Sequence, residues 1–387
     1  MCRRLIHLQT FPLLGKNEQS GKNQGSIRPF LAACSRVLNQ ECAPGFSNIL
    51  SCVHFRHNLL LLIRGGKMNR NKLKILVLTA AVLTALSPVT HAGKQMFPKT
   101  VPVLDGSPHE GFTIGKGTTA YSGSVDGSIY RVDLRSGEGE VLVPPVPDFD
   151  VLTDCQKLGM RLDRRSNLLF VAGCFYGDAT VYDGDTGEVV MIYQLADLGH
   201  VINDIAITRD TVYFTDFTAP FLYSLPLSKN GRIPMEPDAA TAIPLAGGIT
   251  TGNGIVATPD GSTLIVGDSQ TAQIYRVDPT TGQSDLIDVN PPLVGFIDGI
   301  IMRDNLLFIL TPFGDGSGGD WVQVVALDDD LLTGEMLGKI IDPDMDGVAS
   351  GAFHGDALYV NNARYNDWPT PDTAYWITRL SIDDIQP

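Results

Sequence analysis

The fold is decided by a stretch at residues 253–289, which reads NGIVATPDGSTLIVGDSQTAQIYRVDPTTGQSDLIDV. A second stretch, at residues 110–143, follows the same plan and reads EGFTIGKGTTAYSGSVDGSIYRVDLRSGEGEVLV. In both, short runs rich in β-branched and aromatic residues are bounded by Gly, Asp and Pro, which is typical of strands joined by tight turns. The third run of each reads Ile-Tyr-Arg-Val-Asp and is followed by a Thr-Gly or Ser-Gly turn and a fourth run. Each stretch therefore predicts a unit of four antiparallel strands.

The unit recurs along the chain, clearly at residues 159–193 and more weakly from residues 203, 298 and 349. The equivalent first-strand positions are 45 to 51 residues apart and are Glu110, Leu158, Asn203, Asn253, Asp298 and Ala349. A period of about 40–50 residues with four strands per unit is typical of β-propeller blades. The sequence therefore predicts an all-β chain that forms a six-bladed β-propeller.

Ring closure is expected to involve the segment that precedes the first unit. One four-stranded blade cannot bury both of its faces, so the blades stack around an axis and the ring must close. We expect residues 94–104 to complete the last blade as its outer strand. The alternative fold is two packed β-sandwiches, which the regular spacing of six copies disfavours.

The N-terminal region differs from the rest of the chain and predicts export. Basic residues between Met68 and Lys74 are followed by the apolar run ILVLTAAVLTAL at residues 75–86 and by a helix break and a small residue at 87–92. This order is typical of a secretory signal, and 12 apolar residues are too few to span a bilayer, which needs roughly 20. We expect 1–67 to be an extension upstream of the true start, 68–92 to be a signal peptide, and 93–387 to be the propeller. The expected location is the periplasm or the medium, without a membrane span after cleavage.

The charge of the propeller region excludes one class of partner. Residues 92–387 hold 17 basic and 41 acidic residues, a net charge of −24. Such a surface repels phosphate backbones, so nucleic acid is excluded as a partner. The expected partner is a small-molecule substrate.

Two cysteines remain after the signal, Cys155 and Cys174. Both lie within one predicted hairpin unit, and an exported protein meets oxidising conditions. The sequence leaves two alternatives open, a disulfide or two separate buried thiols.

Oxygen-bearing side chains recur at the axial positions. The first strand of each blade lines the central channel, so four side chains far apart in sequence converge on the axis; they are Glu110, Asn203, Asn253 and Asp298. Oxygen-only donors suit hard cations, and buried carboxylates need partners. The sequence predicts that these four residues bind one divalent cation, with Ca²⁺ as the first choice and Mg²⁺ or Mn²⁺ as alternatives. The competing interpretation is that Asn and Asp simply cap strand starts.

These motifs resemble the family that contains gluconolactonase and regucalcin (senescence marker protein). The matching elements are Glu110-Gly111, Asn203-Asp204, Asn253-Gly254 with Pro259-Asp260-Gly261, and Asp298-Gly299, which occur in order and one per blade. The resemblance implies that the four axial residues bind one metal and that the ancestry is lactone-hydrolysing. Sugar-lactone members carry an Arg two residues before the Asn of the Asn-Asp pair, where this chain has Val201.

The expected function is therefore metal-dependent hydrolysis of a lactone or related ester. Asp298 is the candidate general base as well as a ligand. His200 and Asp268 are candidate substrate-binding residues near the metal. The aromatic residues of the C-terminal stretch, Tyr365 among them, are expected to be buried between the last blade and the first, with substrate stacking as the alternative. The main alternative is a non-catalytic propeller that binds a small molecule or an envelope protein and holds a structural metal. A propeller of the strictosidine synthase type ranks last.

Overall fold

The computed structural model describes residues 97–104, 107–150, 154–316, 319–365, 370 and 372–387. The expected N-terminal extension and the signal peptide lie outside the described residues, as do residues 93–96 of the expected propeller domain.

The chain forms six blades, and the strands of each blade follow one another in sequence. Strand β1 (Thr100–Val103) precedes the first blade and belongs to the last one. Blade 1 contains β2 (His109–Ile114), β3 (Thr119–Ser124), β4 (Ile129–Asp133) and β5 (Gly139–Val143). Blade 2 contains β6 (Met160–Asp163), β7 (Leu168–Ala172), β8 (Asp178–Asp183) and β9 (Val189–Gln194). Blade 3 contains β10 (Ile202–Ile207), β11 (Thr211–Asp216), β12 (Phe221–Pro226) and β13 (Thr241–Pro244). Each of these sheets is antiparallel, as the repeat predicts.

Blades 4 to 6 complete the ring. Blade 4 contains β14 (Gly252–Ala257), β15 (Leu264–Asp268), β16 (Gln273–Val277) and β17 (Ser284–Leu286). Blade 5 contains β18 (Asp288–Asn290), β19 (Ile300–Arg303), β20 (Leu306–Thr311), β21 (Trp321–Leu327) and β22 (Thr333–Ile340). Blade 6 contains β23 (Val348–His354), β24 (Ala357–Asn362) and β25 (Tyr375–Ser381), together with β1. A short 3₁₀ helix follows at Ile382–Asp384. Blade 5 adds β18 as a fifth strand, which runs parallel to β22 at the outer edge.

The expected closure of the ring is confirmed. β1 pairs antiparallel with β25, with Thr100 opposite Thr378 and Val103 opposite Tyr375. The N-terminal strand is thus the outer strand of blade 6, whose other three strands come from the C-terminal end. This mixed blade ties the two ends of the propeller together.

The hydrophobic core consists of layers between neighbouring blades. Each of the six blade pairs buries an apolar cluster; between blades 6 and 1, for example, Val101, Phe112 and Tyr359 are fully buried. Burying one such side chain stabilises the fold by about 1.5–3 kcal/mol. The apolar faces that a single blade cannot cover are therefore covered by its two neighbours.

The innermost strands are bulged where the axial residues lie. The register between first and second strands shifts between His109 and Gly111, between Ile202 and Ile205, and between Gly252 and Ile255. A bulge re-aims the side chain of the extra residue. The side chains re-aimed in these three blades include Glu110, Asn203 and Asn253.

A glycine after the axial residue allows neighbouring blades to approach closely. A Cβ on Gly254 would lie 2.2 Å from the carbonyl oxygen of Asp298, and a Cβ on Gly111 would lie 2.3 Å from that of Leu158. Gly159 and Gly299 are constrained in the same way by the axial residue of the next blade. The pairing of an axial residue with Gly thus has a steric cause.

Cys155 and Cys174 form a disulfide, which decides between the two alternatives that the sequence left open. The bridge closes an apolar cluster with Leu158 and Val201 near the axis. The described part of the chain contains no helix with the length and hydropathy that a bilayer span requires.

Candidate axial metal centre

The structure brings the four axial residues together in one cavity. Glu110, Asn203, Asn253 and Asp298 come from four blades and line a cavity of about 310 Å³. None of the four is more than 8% exposed. The structure therefore contains the expected convergence of these four side chains.

A tyrosine that the sequence argument placed elsewhere joins the two carboxylates. The hydroxyl of Tyr365 donates to Glu110 Oε2 at 2.5 Å and lies 3.4 Å from Asp298 Oδ2. The expectation that Tyr365 is buried between the last blade and the first is wrong, because its side chain lines the axial cavity. Its backbone follows Arg364, which has a positive φ of 54° and whose guanidinium bonds Asp346.

Burial shapes the protonation of both axial carboxyl groups. Burial raises the pKa of Glu110 to about 7, against the hydrogen bond from Tyr365, and the charge of Asp204 adds to the rise. Burial also raises the pKa of Asp298 well above its usual range, and the charges of Glu110 and Asp204 raise it further. Two carboxylates in one desolvated cavity therefore resist being ionised together.

Asp204 is the third carboxylate near the axis and is held by the backbone. Its two oxygens accept from the amides of Ile205 and Ile255, and Arg161 lies 3.7 Å away. Burial raises the pKa of Asp204, and the charge of Arg161 opposes the rise. Because Ile255 belongs to the next blade, Asp204 fixes the position of Asn203 relative to blade 4.

The donor set fits a hard divalent cation. Asn253 donates through Nδ2 to the carbonyl of Ile297 at 3.3 Å, and its buried Oδ1 has no hydrogen-bond partner in the described part of the chain. A buried amide oxygen without a partner costs about 1–3 kcal/mol, which a cation at this place would offset. Among the described residues, no group of three or more His, Cys, Asp or Glu side chains is placed to hold a metal ion, so a cation in this cavity would also depend on the two carboxamides.

His200 does not line the axial cavity. Its Nδ1 lies 2.6 Å from Asp216 Oδ2, and its side chain lines a separate pocket with Asp197 and Tyr223. Thr250 occupies the equivalent position in blade 4, three residues before the axial Asn, and donates to Asp268 in the same manner. His200 anchors the end of its strand through this contact, and its expected role in substrate binding stays a prediction.

Asp268 is also occupied by contacts of its own blade. It accepts hydrogen bonds from the amides and hydroxyls of Thr250 and Thr251 and from the amides of Gln270 and Thr271. Burial raises the pKa of Asp268, but these hydrogen bonds outweigh the effect of burial and lower the pKa to about 2. The residue stabilises the loop beside Asn253 and does not line the axial cavity.

The aromatic side chains at the cavity were not among the predicted site residues. Phe217, Phe296, Phe313 and Tyr365 complete its lining. Phe217, Phe313 and Tyr365 lie within three residues of the end of the second strand of their blades, where loops surround the channel mouth. Extending the register of the repeat by one strand places these three residues close to the ends of equivalent strands, but it does not give the direction of their side chains.

Comparison with known proteins supports the fold. No family model matches the chain, and no curated protein matches it. U3-55K is a similar solved structure, with 10% identity, a TM-score of 0.50, and coverage of 73% of this chain and 98% of that chain. A protein from Lactobacillus plantarum has 15% identity and a TM-score of 0.47, and the match covers 67% of this chain and 79% of that chain. The β-propeller domain of Cps50 (Swd1) from Myceliophteria thermophila has 14% identity and a TM-score of 0.46, and the match covers 72% of this chain and 88% of that chain. At these identities the likeness shows the propeller fold alone.

Proposed function

We propose that the axial cavity binds one divalent cation, with Ca²⁺ as the first choice, and that the protein is an exported hydrolase of a lactone or related ester. The observation that carries the proposal is the convergence of two carboxylates and two carboxamides from four blades in one cavity. The order of the four motifs along the chain, which resembles gluconolactonase and regucalcin, supports the same assignment.

The four side chains divide the chemical work. A hard divalent cation held by these side chains would supply Lewis-acid chemistry, because it would polarise a carbonyl group and stabilise the developing oxyanion. Glu110 and Asp298 supply two negative charges to hold it, while Asn203 and Asn253 supply neutral oxygens. Asp298 is the general base and accepts a proton from the attacking water. The water oxygen bonds to the carbonyl carbon, the acyl C–O bond breaks, and the proton held by Asp298 passes to the leaving alkoxide.

A non-catalytic binding protein is the second candidate, and Val201 favours it. Val201 stands where sugar-lactone members carry an Arg, and it is buried in an apolar cluster with Leu158 and the disulfide. A charged contact with a polyhydroxylated substrate is thereby lost. In this reading the cation is structural and the cavity binds a ligand without turning it over.

Export is supported by the disulfide between Cys155 and Cys174. Disulfides persist in oxidising compartments and are rare in the cytosol. Cell fractionation with N-terminal sequencing tests this part. A first residue near 93 in the periplasm or medium supports export, and recovery of any of residues 1–67 on the exported protein contradicts the assigned start.

Hydrolysis is tested with a panel of lactones and esters. The purified protein is stripped with a chelator, and activity is measured before and after Ca²⁺, Mg²⁺ or Mn²⁺ is returned. We expect activity that returns with one cation and is lost in Asp298→Asn, while Asp356→Asn, at an exposed carboxylate outside the matching motifs, is the matched control. Cation binding without turnover of any member of the panel favours the non-catalytic candidate.

A further inference from the structure

Aromatic rings line the axial cavity beside the proposed ligands. Phe217, Phe296, Phe313 and Tyr365 line the cavity together with the four proposed cation ligands. The ring centroids of Phe217 and Phe296 are 6.3 Å apart, and those of Phe313 and Tyr365 are 5.7 Å apart. We call these four side chains the aromatic wall.

The surroundings of the wall are apolar as well. Phe217 packs against the cluster that contains Leu158, Val201 and the disulfide, so blade 2 presents hydrocarbon where four other blades present oxygen. Among the described lining residues, the polar ones are the four proposed ligands and Tyr365. A sugar-like ligand would thus bury several hydroxyl groups without partners, at about 1–3 kcal/mol for each.

The balance of charge selects a neutral ligand. Aromatic faces also attract alkylammonium groups, and two carboxylates would strengthen that attraction. A bound divalent cation, however, neutralises the two negative charges of Glu110 and Asp298. What the loaded cavity then offers to a substrate is the apolar surface of the wall.

We propose that the substrate is a neutral lactone or ester whose alkyl or aryl group packs on the aromatic wall, an inference that rests on the proposed function. The cavity of about 310 Å³ is small for a ligand site, so it suits a ring with a short hydrocarbon side chain. Phe296 is 36% exposed and marks the mouth through which a longer chain would project.

The test is a series of γ-lactones with hydrogen, methyl, propyl or pentyl on the ring, assayed with the Ca²⁺-loaded protein. Each methylene buried against the wall should raise kcat/KM about fourfold until the cavity is full. The polyhydroxylated gluconolactone should be a poorer substrate than the propyl lactone. Phe217→Ala and Phe296→Ala should flatten the series, whereas Phe175→Ala, an exposed aromatic outside the cavity, should leave it unchanged.

A binding experiment separates this inference from the proposed hydrolysis. Cyclopentanones with the same side chains resemble the lactones but have no acyl C–O bond to break, and their affinity is measured by calorimetry. If their affinity rises with chain length and falls in Phe296→Ala while no lactone is hydrolysed, the apolar site stands and the hydrolase assignment fails. If lactones are hydrolysed without chain-length preference, or gluconolactone or a quaternary-ammonium ester is preferred, the apolar site is refuted and hydrolysis stands. Absence of both ketone binding and hydrolysis refutes the inference together with the proposed function.

Discussion

Replacing Glu110 by Gln should make the cation-free protein more stable at pH 8 and should abolish its stabilisation by Ca²⁺. Glu110 is buried beside Asp298, and burial raises its pKa from 4.5 to about 7. One pKa unit corresponds to about 1.4 kcal/mol, so keeping Glu110 ionised in the folded protein costs at most about 3 kcal/mol. A glutamine retains an oxygen that accepts from Tyr365 but carries no charge.

The sign of the pH dependence follows from the raised pKa. Because the folded protein holds this proton more tightly than the unfolded chain, the stabilisation is complete below about pH 4.5 and is lost as the pH rises towards 7. The cation-free wild type should therefore lose stability across this window, whereas Glu110→Gln should lack this contribution. Bound Ca²⁺ should remove most of the loss in the wild type, since it replaces the proton.

The assay is thermal unfolding at pH 5 and pH 8, with chelator or with Ca²⁺. At roughly 2 °C per kcal/mol for a domain of this size, Glu110→Gln should raise the Tm at pH 8 in chelator by up to about 6 °C. Glu140→Gln is the matched control, because Glu140 is an exposed partner of Arg131 and its loss should change stability by less than about 1 kcal/mol. A lower Tm for Glu110→Gln in chelator at pH 8, or an unchanged response to Ca²⁺, would refute the reasoning.

Three further substitutions test other parts of the structure. Tyr365→Phe removes the hydrogen bond to Glu110 and should destabilise the cation-free protein by about 1–2 kcal/mol in thermal unfolding; no change would mean that this bond is absent in solution. Cys174→Ser should cost about 2–4 kcal/mol, and a reductant should lower the Tm of the wild type but not of the variant; equal responses would argue against the disulfide. Gly254→Ala places a methyl 2.2 Å from a carbonyl oxygen of the next blade. It should lower the free energy of unfolding by about 1–3 kcal/mol and weaken Ca²⁺ binding. Gly252→Ala, whose Cβ meets its nearest atom at 3.5 Å, should be tolerated. Equal effects of the two alanines would contradict the steric explanation.

The sequence was sufficient for the architecture because the propeller repeats its signals. Six units share one strand plan, and a residue at the start of each unit must lie near the axis once the ring closes. Glu110 and Asp298 could therefore be placed together across 188 residues of chain from register alone. The outer strand of blade 6 was predictable for the same reason, since the ring needs a partner for β25.

Features that depend on loops could not be read from the repeat. Loop lengths differ between blades, so the inward direction of Tyr365 and Phe313 depends on local backbone geometry that carries no period. His200 lies only three residues from Asn203, yet Asp216 holds its ring away from the cavity. The parallel edge strand β18 likewise follows from the path of one connection; in the described part of the other blades, its nearest counterpart is an isolated parallel bridge between Ala246 and Gln283.

Calorimetric titration of Ca²⁺ into chelator-stripped protein tests the axial metal centre most directly. We expect one binding site per chain, with affinity that rises between pH 6 and pH 8 as Glu110 loses its proton, and no binding to Asp298→Asn. Folded wild-type protein that binds neither Ca²⁺, Mg²⁺ nor Mn²⁺, or a variant Asp298→Asn that binds as the wild type does, would contradict this expectation.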